Sequence, residues 1–467
     1  MKLVMKFGGV SVADGDKIRK VAGIVEGYCK EGNQVVVVTS AMHSVTNSLV
    51  QSAQLAGKGH KDHVRTFVDE TGERHKKAAE KAIKNKKILD NTLGIVSARC
   101  EELRNILVGV SHIGELTPRT KDFVISFGEK LSAPILAGAL QDLGLKAKAI
   151  TGGEAGILTD DKYGNAQPLM NVTTLQVKQT LSPMIDLGVV PVVCGFIGST
   201  QDGIQTTLGR GGSDFTASII GASIRSDEVW VWKDVDGLMT ANPKMVKKAK
   251  MIDTISFAEA MELAHFGAEV VHPRALECAQ RYQLPFRVKS IADPASPGTS
   301  IVKEVRVKDG DVVKAITNID DVDLITVSGA SMVGTPRLAA KVLQVLTDED
   351  IDVLMISQSS SEESITLAIP RESGSSAQNA LELSLLGSKQ VREVNVEGGL
   401  SIVAVVGAGM RGTPGVAARV FSMMAGNGVN IRAIAQGSSE LNISFIVKKE
   451  DARKAVEALH KEFKLGE

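Results

Sequence analysis

The sequence predicts an α/β protein in which a parallel-rich central sheet lies between helical layers and two small α+β modules follow. Three observations predict this. Short apolar runs alternate with helical periodicity over the first 300 residues, one strand is apolar at almost every position, and the last 150 residues contain an internal repeat. The first run, Leu3 to Phe7, ends in Gly8-Gly9, and the second is Gln34 to Ser40. Between them Ile18, Val21, Ile24, Val25 and Tyr28 recur at helical spacing. A second strand apolar on both sides points to a parallel sheet covered on both faces. Similar units follow: helix Asp122 to Leu143, strand Ala147 to Ile150, strand Val189 to Cys194, helix Ser213 to Ile224 and strand Glu228 to Lys233. Residues 56–114 differ, being charge-rich with helical periodicity, and read as a helical excursion.

Composition bounds the function. A chain of 467 residues with 43% apolar content supports about three globular domains. Fifty-four basic residues balance fifty-four acidic ones, so no net field draws the chain to nucleic acid or an anionic membrane. Aromatic residues are too few to form base-stacking platforms. Cys29, Cys100, Cys194 and Cys278 are scattered, which excludes a disulfide scaffold and a cysteine-built zinc site and fits a reducing cytoplasm. The N-terminus meets glycine and charge too early for a signal peptide. The longest near-apolar stretch, Leu187 to Gly198, is too short to span a bilayer. No membrane partner and a cytoplasmic location are therefore expected.

The segment Asp293-Pro294-Ala295-Ser296-Pro297-Gly298-Thr299 closes the first region near residue 300. Beyond it, Leu324 to Ile369 matches Ile402 to Val447 without a gap, with sixteen identities in forty-six positions. Gly329-Ala330-x-Met332-x-Gly334-Thr335-Pro336 faces Gly407-Ala408-x-Met410-x-Gly412-Thr413-Pro414, and Gln358-x-Ser360-Ser361-Glu362 faces Gln436-x-Ser438-Ser439-Glu440. Each copy reads strand, glycine turn, helix, strand, strand, then a further helix and strand. The expected domains are 1–302, 313–388 and 396–467.

Two glycine turns carry the chemistry. In Lys6-Phe7-Gly8-Gly9-Val10-Ser11 a strand ends in glycines whose amides can approach a phosphate, and Lys6 can reach the same anion. The plainer reading is an ordinary strand-to-helix turn. In Gly209-Arg210-Gly211-Gly212-Ser213-Asp214 the Arg210 fork suits a carboxylate or phosphate, and Asp214 falls in the first helical turn. Here the plainer reading makes Ser213 or Asp214 an N-cap. Two such turns together favour a phosphate-handling site. No P-loop occurs. Gly407-Ala408-Gly409-Met410-Arg411-Gly412 imitates a dinucleotide fingerprint, but its sister copy has Ser331 at the middle glycine and Asn430 stands where an acid is needed.

The isolated candidates read more plainly. His265 and His272 lack metal-ligand spacing and read as packed or surface histidines; no metal ligand is expected. Ser40, Thr46 and Glu129 read on pattern alone as caps or solvated residues. The Lys/Glu run from His75 to Lys87 reads as a solvated helix face.

Taken in order, these elements resemble the aspartate kinases over essentially the whole chain. Met5-Lys6-Phe7-Gly8-Gly9-Val10-Ser11 resembles the family's opening KFGG[TS]S element, and Val38-Thr39-Ser40-Ala41-Met42 with Val45-Thr46-Asn47 resembles its second strand and loop. Phe127-Gly128-Glu129, Gly195-Phe196-Ile197-Gly198 and Gly209 to Asp214 also fit. The tandem repeat resembles paired ACT regulatory domains, which in this family bind an end-product amino acid. The resemblance implies an amino-acid-kinase fold and ATP-dependent phosphorylation of the L-aspartate β-carboxylate to 4-phospho-L-aspartate, with Mg2+. This is the first step toward lysine, threonine and methionine.

It further implies that Arg210 pairs with the substrate α-carboxylate and Glu129 with its ammonium, with Ser40, Thr46, Gly212 and Ser213 positioning it. Lys6 and Asp214 take the catalytic roles, Asp214 organising Lys6 or the magnesium. The implied ATP side is Lys6, Gly8, Gly9, Ser11, Lys233, Asp234, Met239 and Lys244. Within it, the family pattern T-D-V-[SD]-G-V-[YM]-T-x-D-P-R is met here by Lys233 to Lys244, with departures at Lys233, Asn242 and Lys244. Many members carry Lys where this chain has Glu269. Gln358, Gln436 and Asn442 are the implied effector contacts, in surroundings that resemble threonine-sensitive members slightly more than lysine-sensitive ones. A homodimer or homotetramer is implied, and no appended homoserine dehydrogenase is expected. Two alternatives stand beside this reading: a catalytically weak amino-acid sensor, and an amino-acid kinase with another acceptor.

Overall fold

The computed structural model describes residues 1–267, 271–305, 312–329, 336–358, 364–385 and 391–467. They divide into two units, Met1–Leu238 with Val270–Lys303, and Met239–Glu269 with Glu304–Glu467. The sequence reading assigned residues 239–269 to the first domain. They group with the second, where Ala241 and Val246 enter its core.

In the first unit β1 (Lys2–Phe7) leads into α1 (Gly15–Lys30) and β2 (Gln34–Thr39). Asp14 caps α1 by accepting the Lys17 amide at 3.0 Å. The helix buries Ile18, Val21, Ala22, Ile24 and Val25, the face its periodicity marks. The excursion consists of α2 (Val45–Gly57), α3 (Lys61–Ala82) and α4 (Lys86–Ile113). His75 does not belong to a solvated face. It is fully buried on α3 with Nδ1 2.7 Å from the Thr71 carbonyl oxygen, and burial pushes it down to about 4. The helix expected over 122–143 is two, α5 (Pro118–Ile125) and α6 (Phe127–Asp142), separated at Ser126. The apolar part of this stretch, from Val124 to Leu140, is almost wholly buried.

Next come β3 (Lys146–Ile150), α7 (Met170–Asp186), β4 (Val189–Cys194), the hairpin β5 (Ile197–Ser199) and β6 (Gln205–Thr207), α8 (Gly212–Ile224) and β7 (Glu228–Lys233). After β8 (Thr254–Ser256) and α9 (Phe257–His265), which belong to the second unit, α10 (Pro273–Arg281), β9 (Phe286–Ser290) and β10 (Thr299–Val302) complete the first. Its strands run in the order β3-β4-β2-β1-β7-β9-β10, parallel up to β9. Leu3, Met5, Phe7, Val35 and Val37 join one large core with α1 and α6. Adjacent parallel strands bring their C-terminal ends into one crevice, the usual ligand position in such sheets.

The second unit's remaining elements are β11 (Ala315–Ser328), α11 (Pro336–Asp348), β12 (Met355–Gln358), β13 (Ser364–Pro370), α12 (Gly374–Leu385), β14 (Glu393–Val406), α13 (Val416–Gly426), β15 (Ala433–Ala435), β16 (Asn442–Lys448) and α14 (Lys449–Glu462). Its sheet runs β12-β13-β11-β14-β16-β15, so the two repeats meet through antiparallel β11 and β14. These two strands are shared. Ala315 to Ile319 pairs with Ile402 to Val406, and Val313 and Ile316 enter the core built on α13 and α14. Conversely, Val391 and Val394 enter the core of the first repeat. The modules therefore exchange strand ends across the boundaries that the repeat alone suggests.

One close approach tests the first unit. A Cβ at Gly152 would lie 1.8 Å from the Ile197 carbonyl oxygen, a backbone atom that cannot rotate away. Gly152→Ala is expected to cost about 1–3 kcal/mol or more, measured as a lower urea midpoint with an unchanged slope.

Candidate active site

The C-terminal ends of β4, β2, β1 and β7, neighbours in the sheet, deliver the site. Lys6, one residue from the end of β1, is 5% exposed, and its ammonium lies 2.5 Å from Asp214 Oδ1 in the first turn of α8. Lys233, the last residue of β7, lies 3.8 Å from Asp214 Oδ2. The His272 amide donates to the same oxygen at 3.4 Å. Burial pushes the Asp214 carboxyl up, but Lys6 and then Lys233 hold it below the usual carboxylate range. The carboxylate stays ionised and serves as an anchor for cations. A proton acceptor would need the opposite shift.

Gly8 and Gly9 turn the chain directly beneath this pair. A Cβ at Gly8 would sit 3.5 Å from the Lys6 ammonium, and one at Gly9 would sit 2.9 Å from the Ala41 carbonyl oxygen. Ser11 is buried and donates its amide to the Gly8 carbonyl at 2.9 Å. The Ala41 amide in turn donates to Glu129 Oε1 at 3.0 Å. Glu129 is 3% exposed on α6, its Oε2 has no hydrogen-bond partner among the described residues, and burial pushes its carboxyl up to about 8. Ser132, one helical turn on, donates to the Ser40 carbonyl at 2.8 Å. Thr46 is close by, since a Cβ at Gly128 would lie 3.6 Å from its Oγ1. Arg74 of the excursion fixes the turn before Thr46, donating to the His43 carbonyl at 2.7 Å. Lys6, Ser40, Thr46 and Glu129 thus share one crevice, which neither pattern nor spacing had joined.

The Arg210 loop closes the other side. Ser213 and Asp214 are not caps, because α8 starts one residue earlier with Gly211 as N-cap at φ 70°. Their side chains are buried at the site instead. Gly211 is required both by that φ and by His272, whose Cγ would lie 2.1 Å from a Cβ there. A Cβ at Gly212 would lie 2.9 Å from the Phe196 ring, and one at Gly195 would lie 2.7 Å from Ser213 Cβ. Arg210 itself is exposed at the tip. Sequence reasoning missed Asp122, Ser132, His272 and Arg274 here, because a lone polar residue on a helix carries no spacing signal.

Of the nucleotide-side residues, Asp234 is exposed just beyond Lys233. Met239 and Lys244 fall in the second unit, where Met239 bridges to Met251 and the Lys244 amide donates to Asn242. Glu269 lies outside the described residues, as do Ser360, Ser361, Glu362 and the first repeat's residues 330–335. Gln358 ends β12 and lines a cavity of about 360 Å³ with Thr326, Thr366, Glu397 and Arg432. Gln436 is exposed after β15. Asn442 is buried, and its amide donates to Glu262 of α9. Among the described residues no group of three or more Asp, Glu, His or Cys is placed to hold a metal ion.

Known proteins resemble this chain in family and fold. The amino acid kinase family model matches residues 1–290, and an ACT domain model matches residues 325–385 and 403–463. Aspartokinase 1, chloroplastic, of Arabidopsis thaliana is 34% identical over 98% of this chain and 80% of its own. The Zea mays bifunctional aspartokinase/homoserine dehydrogenase 1 is 34% identical, and the match spans half its length. E. coli aspartokinase III in complex with aspartate and ADP superposes with a TM-score of 0.81 at 29% identity, covering 99% of both chains. The same enzyme with lysine and aspartate gives 0.82 at 30% identity, with the same coverage. Fold and site define an amino-acid kinase carrying tandem ACT domains. The chain belongs to the aspartokinases of the amino acid kinase family, and it is an aspartate kinase regulated through its ACT domains.

Glu129 gives a pH-dependent prediction. Its folded-state value lies above the ordinary carboxylate value, so its favourable protonated form is lost as pH rises through about 8. Glu129→Gln removes that loss. Its melting temperature should exceed the parent's by a margin that grows between pH 5 and pH 9, reaching about 2–4 °C, even as turnover falls. A margin independent of pH would contradict the assignment.

Proposed function

We propose that this crevice transfers the γ-phosphoryl group of ATP to the β-carboxylate of L-aspartate, giving 4-phospho-L-aspartate and ADP. The observation that carries the reading is the buried Lys6–Asp214 pair beside Gly8 and Gly9, with an orphaned carboxylate oxygen on Glu129 opposite. A β-carboxylate is ionised at neutral pH, since its reference value is about 3.9, and attacks without a base. The site's task is then to bring two anions together and to stabilise charge on the transferring group. Lys6 and the Gly8 and Gly9 amides do this, and Asp214 holds Lys6 in place through their ion pair. Glu129 Oε2 takes the substrate ammonium and Arg210 its α-carboxylate, with Ser40, Thr46, Gly212 and Ser213 around them. Anchoring both ends matters because one methylene separates aspartate from glutamate, worth only about 1–3 kcal/mol by itself.

Magnesium enters as part of the ATP complex. It is held chiefly by phosphate oxygens with at most a carboxylate or two, which suits a site with no acidic cluster. Ser11, Lys233 and Asp234 are the proposed nucleotide contacts beside Lys6, Gly8 and Gly9. For the effector we keep Gln358 and Gln436, which occupy equivalent places in the repeat, and release Asn442, whose amide is committed to Glu262. Threonine is slightly favoured over lysine. A homodimer or homotetramer and a cytoplasmic location complete the reading, the latter supported by four free cysteines.

The test is ADP release by the purified protein with MgATP. It should require L-aspartate and be suppressed by threonine or lysine. Arg210→Ala should raise the KM for aspartate by about 100-fold or more, in line with losing a charge-assisted bidentate contact, while the KM for ATP changes little. Gln436→Ala should relieve inhibition and keep uninhibited turnover near the parent's. An equal loss of both would remove Gln436 from the effector site.

A further inference from the structure

We propose that Arg274 is a positioning residue for aspartate recognition, holding the Arg210 loop from beneath together with Asp122. The inference rests on assigning Arg210 to the substrate α-carboxylate and adds the structure that makes that contact selective.

Arg274 is the second residue of α10 and touches none of the proposed reacting groups. Its Nη1 donates to the Leu208 carbonyl at 2.6 Å and to Asn165 Oδ1 at 2.9 Å, and its Nη2 donates to Gln167 Oε1 at 3.0 Å. The guanidinium carbon lies 4.7 Å from the centre of the Phe215 ring, on the helix that carries Asp214. One planar fork thereby ties three segments: the Asn165–Gln167 loop, the residue two places before Arg210, and α8. The His272 side chain fixes the fork's own base by accepting the Arg274 amide at 3.3 Å.

Asp122 grips the same loop from the other side. It is fully buried on α5, and its Oδ2 accepts the amides of Thr207 at 2.8 Å and Gly164 at 2.9 Å. Both clamps thus join residues 164–167 to residues 207–208. Between them and Arg210 stands only Gly209, at φ 76°, where a Cβ would lie 2.9 Å from Asn165 Oδ1. The loop has no regular structure of its own between β6 and α8. Its shape is therefore set by these side chains, and Arg210, exposed at the tip, inherits its position from them. Losing the fork leaves the Leu208 carbonyl and two side-chain acceptors without their donor and lets the tip move. A displacement near 1 Å is enough to cost a contact that depends on bidentate geometry.

The test uses the full-length enzyme with steady-state kinetics in both substrates. Arg274→Ala should raise the KM for aspartate about 10- to 100-fold, with kcat and the KM for ATP within about threefold of the parent. Arg274→Lys, which keeps the charge and can reach one acceptor, should fall between. Asn165→Ala removes one acceptor without touching the helix and should show a smaller shift in the same direction, even if Arg274→Ala proves unstable. As a second readout, β-alanine, which is aspartate without its α-carboxylate, should inhibit the parent and Arg274→Ala with similar constants. The proposal is overturned if aspartate KM stays within twofold in both variants, if kcat and both KM values worsen together, or if β-alanine inhibition weakens as much as aspartate binding. Should Arg210→Ala itself leave aspartate KM unchanged, the α-carboxylate assignment fails instead of the clamp.

Discussion

Everything in the crevice depends on placing an ammonium and a carboxylate against each other where water is largely excluded. A buried ammonium is expensive unless paired, and so is a buried carboxylate, so Lys6 and Asp214 are tolerable only together. An apolar pair of similar volume would often be at least as stable. Stability alone therefore does not account for the pair. Removing either partner strands the other, typically at about 3–5 kcal/mol, which sets the requirement that β1 and α8 stay in register. The parallel sheet supplies that register by pairing Lys6 with Val38 on one side and Val231 on the other.

Glu129 shows the opposite solution to burial. Among the described residues it makes no ion pair, and its Oε1 accepts the Ala41 amide, so burial holds it protonated to about pH 8. Two carboxyl groups in one crevice are thus pushed to opposite sides of neutrality. Asp214 is held anionic, and Glu129 stays protonated at neutral pH. Environment alone separates their roles.

How much of this was legible depends on whether a feature leaves a periodic or glycine signal. The strands, the two glycine turns and Lys6, Arg210 and Asp214 announce themselves, because a glycine pair after an apolar run has few structural meanings. Glu129, Ser40 and Thr46 do not: their partners are distant in sequence, and only the family resemblance drew them in. Asp122 and Arg274 escaped both routes. Asp122 meets two backbone amides, and Arg274 meets a carbonyl and two side chains more than sixty residues away, so neither leaves a spacing signal. The repeat announced two modules plainly, yet not that β11 and β14 each serve both, since strand sharing leaves the repeat period unchanged. The plain reading of the His75–Lys87 run failed for a related reason. Charge dominates the composition there, while one imidazole turned inward on α3 meets a carbonyl of its own helix.

Strand sharing has a consequence for regulation. Because Ile316 lies in the second repeat's core while Ile325 and Val327, on the same strand, lie in the first's, β11 is one element shared by two hydrophobic cores. A ligand that shifts one core must move or strain the other, since packed interiors at native density do not absorb displacement gradually. The bulges between Ile319 and Leu324 are the places where β11 can bend. Residues 239–269 are woven into the same assembly. Glu259 accepts the Ala408 amide at 2.7 Å, Glu262 accepts from Asn442, and Thr317 donates to the Phe266 carbonyl at 2.9 Å. All three bonds fall at the glycine turn or on the strands of the second repeat's sheet, so α9 and the residue after it are hydrogen-bonded directly to that sheet or its turn.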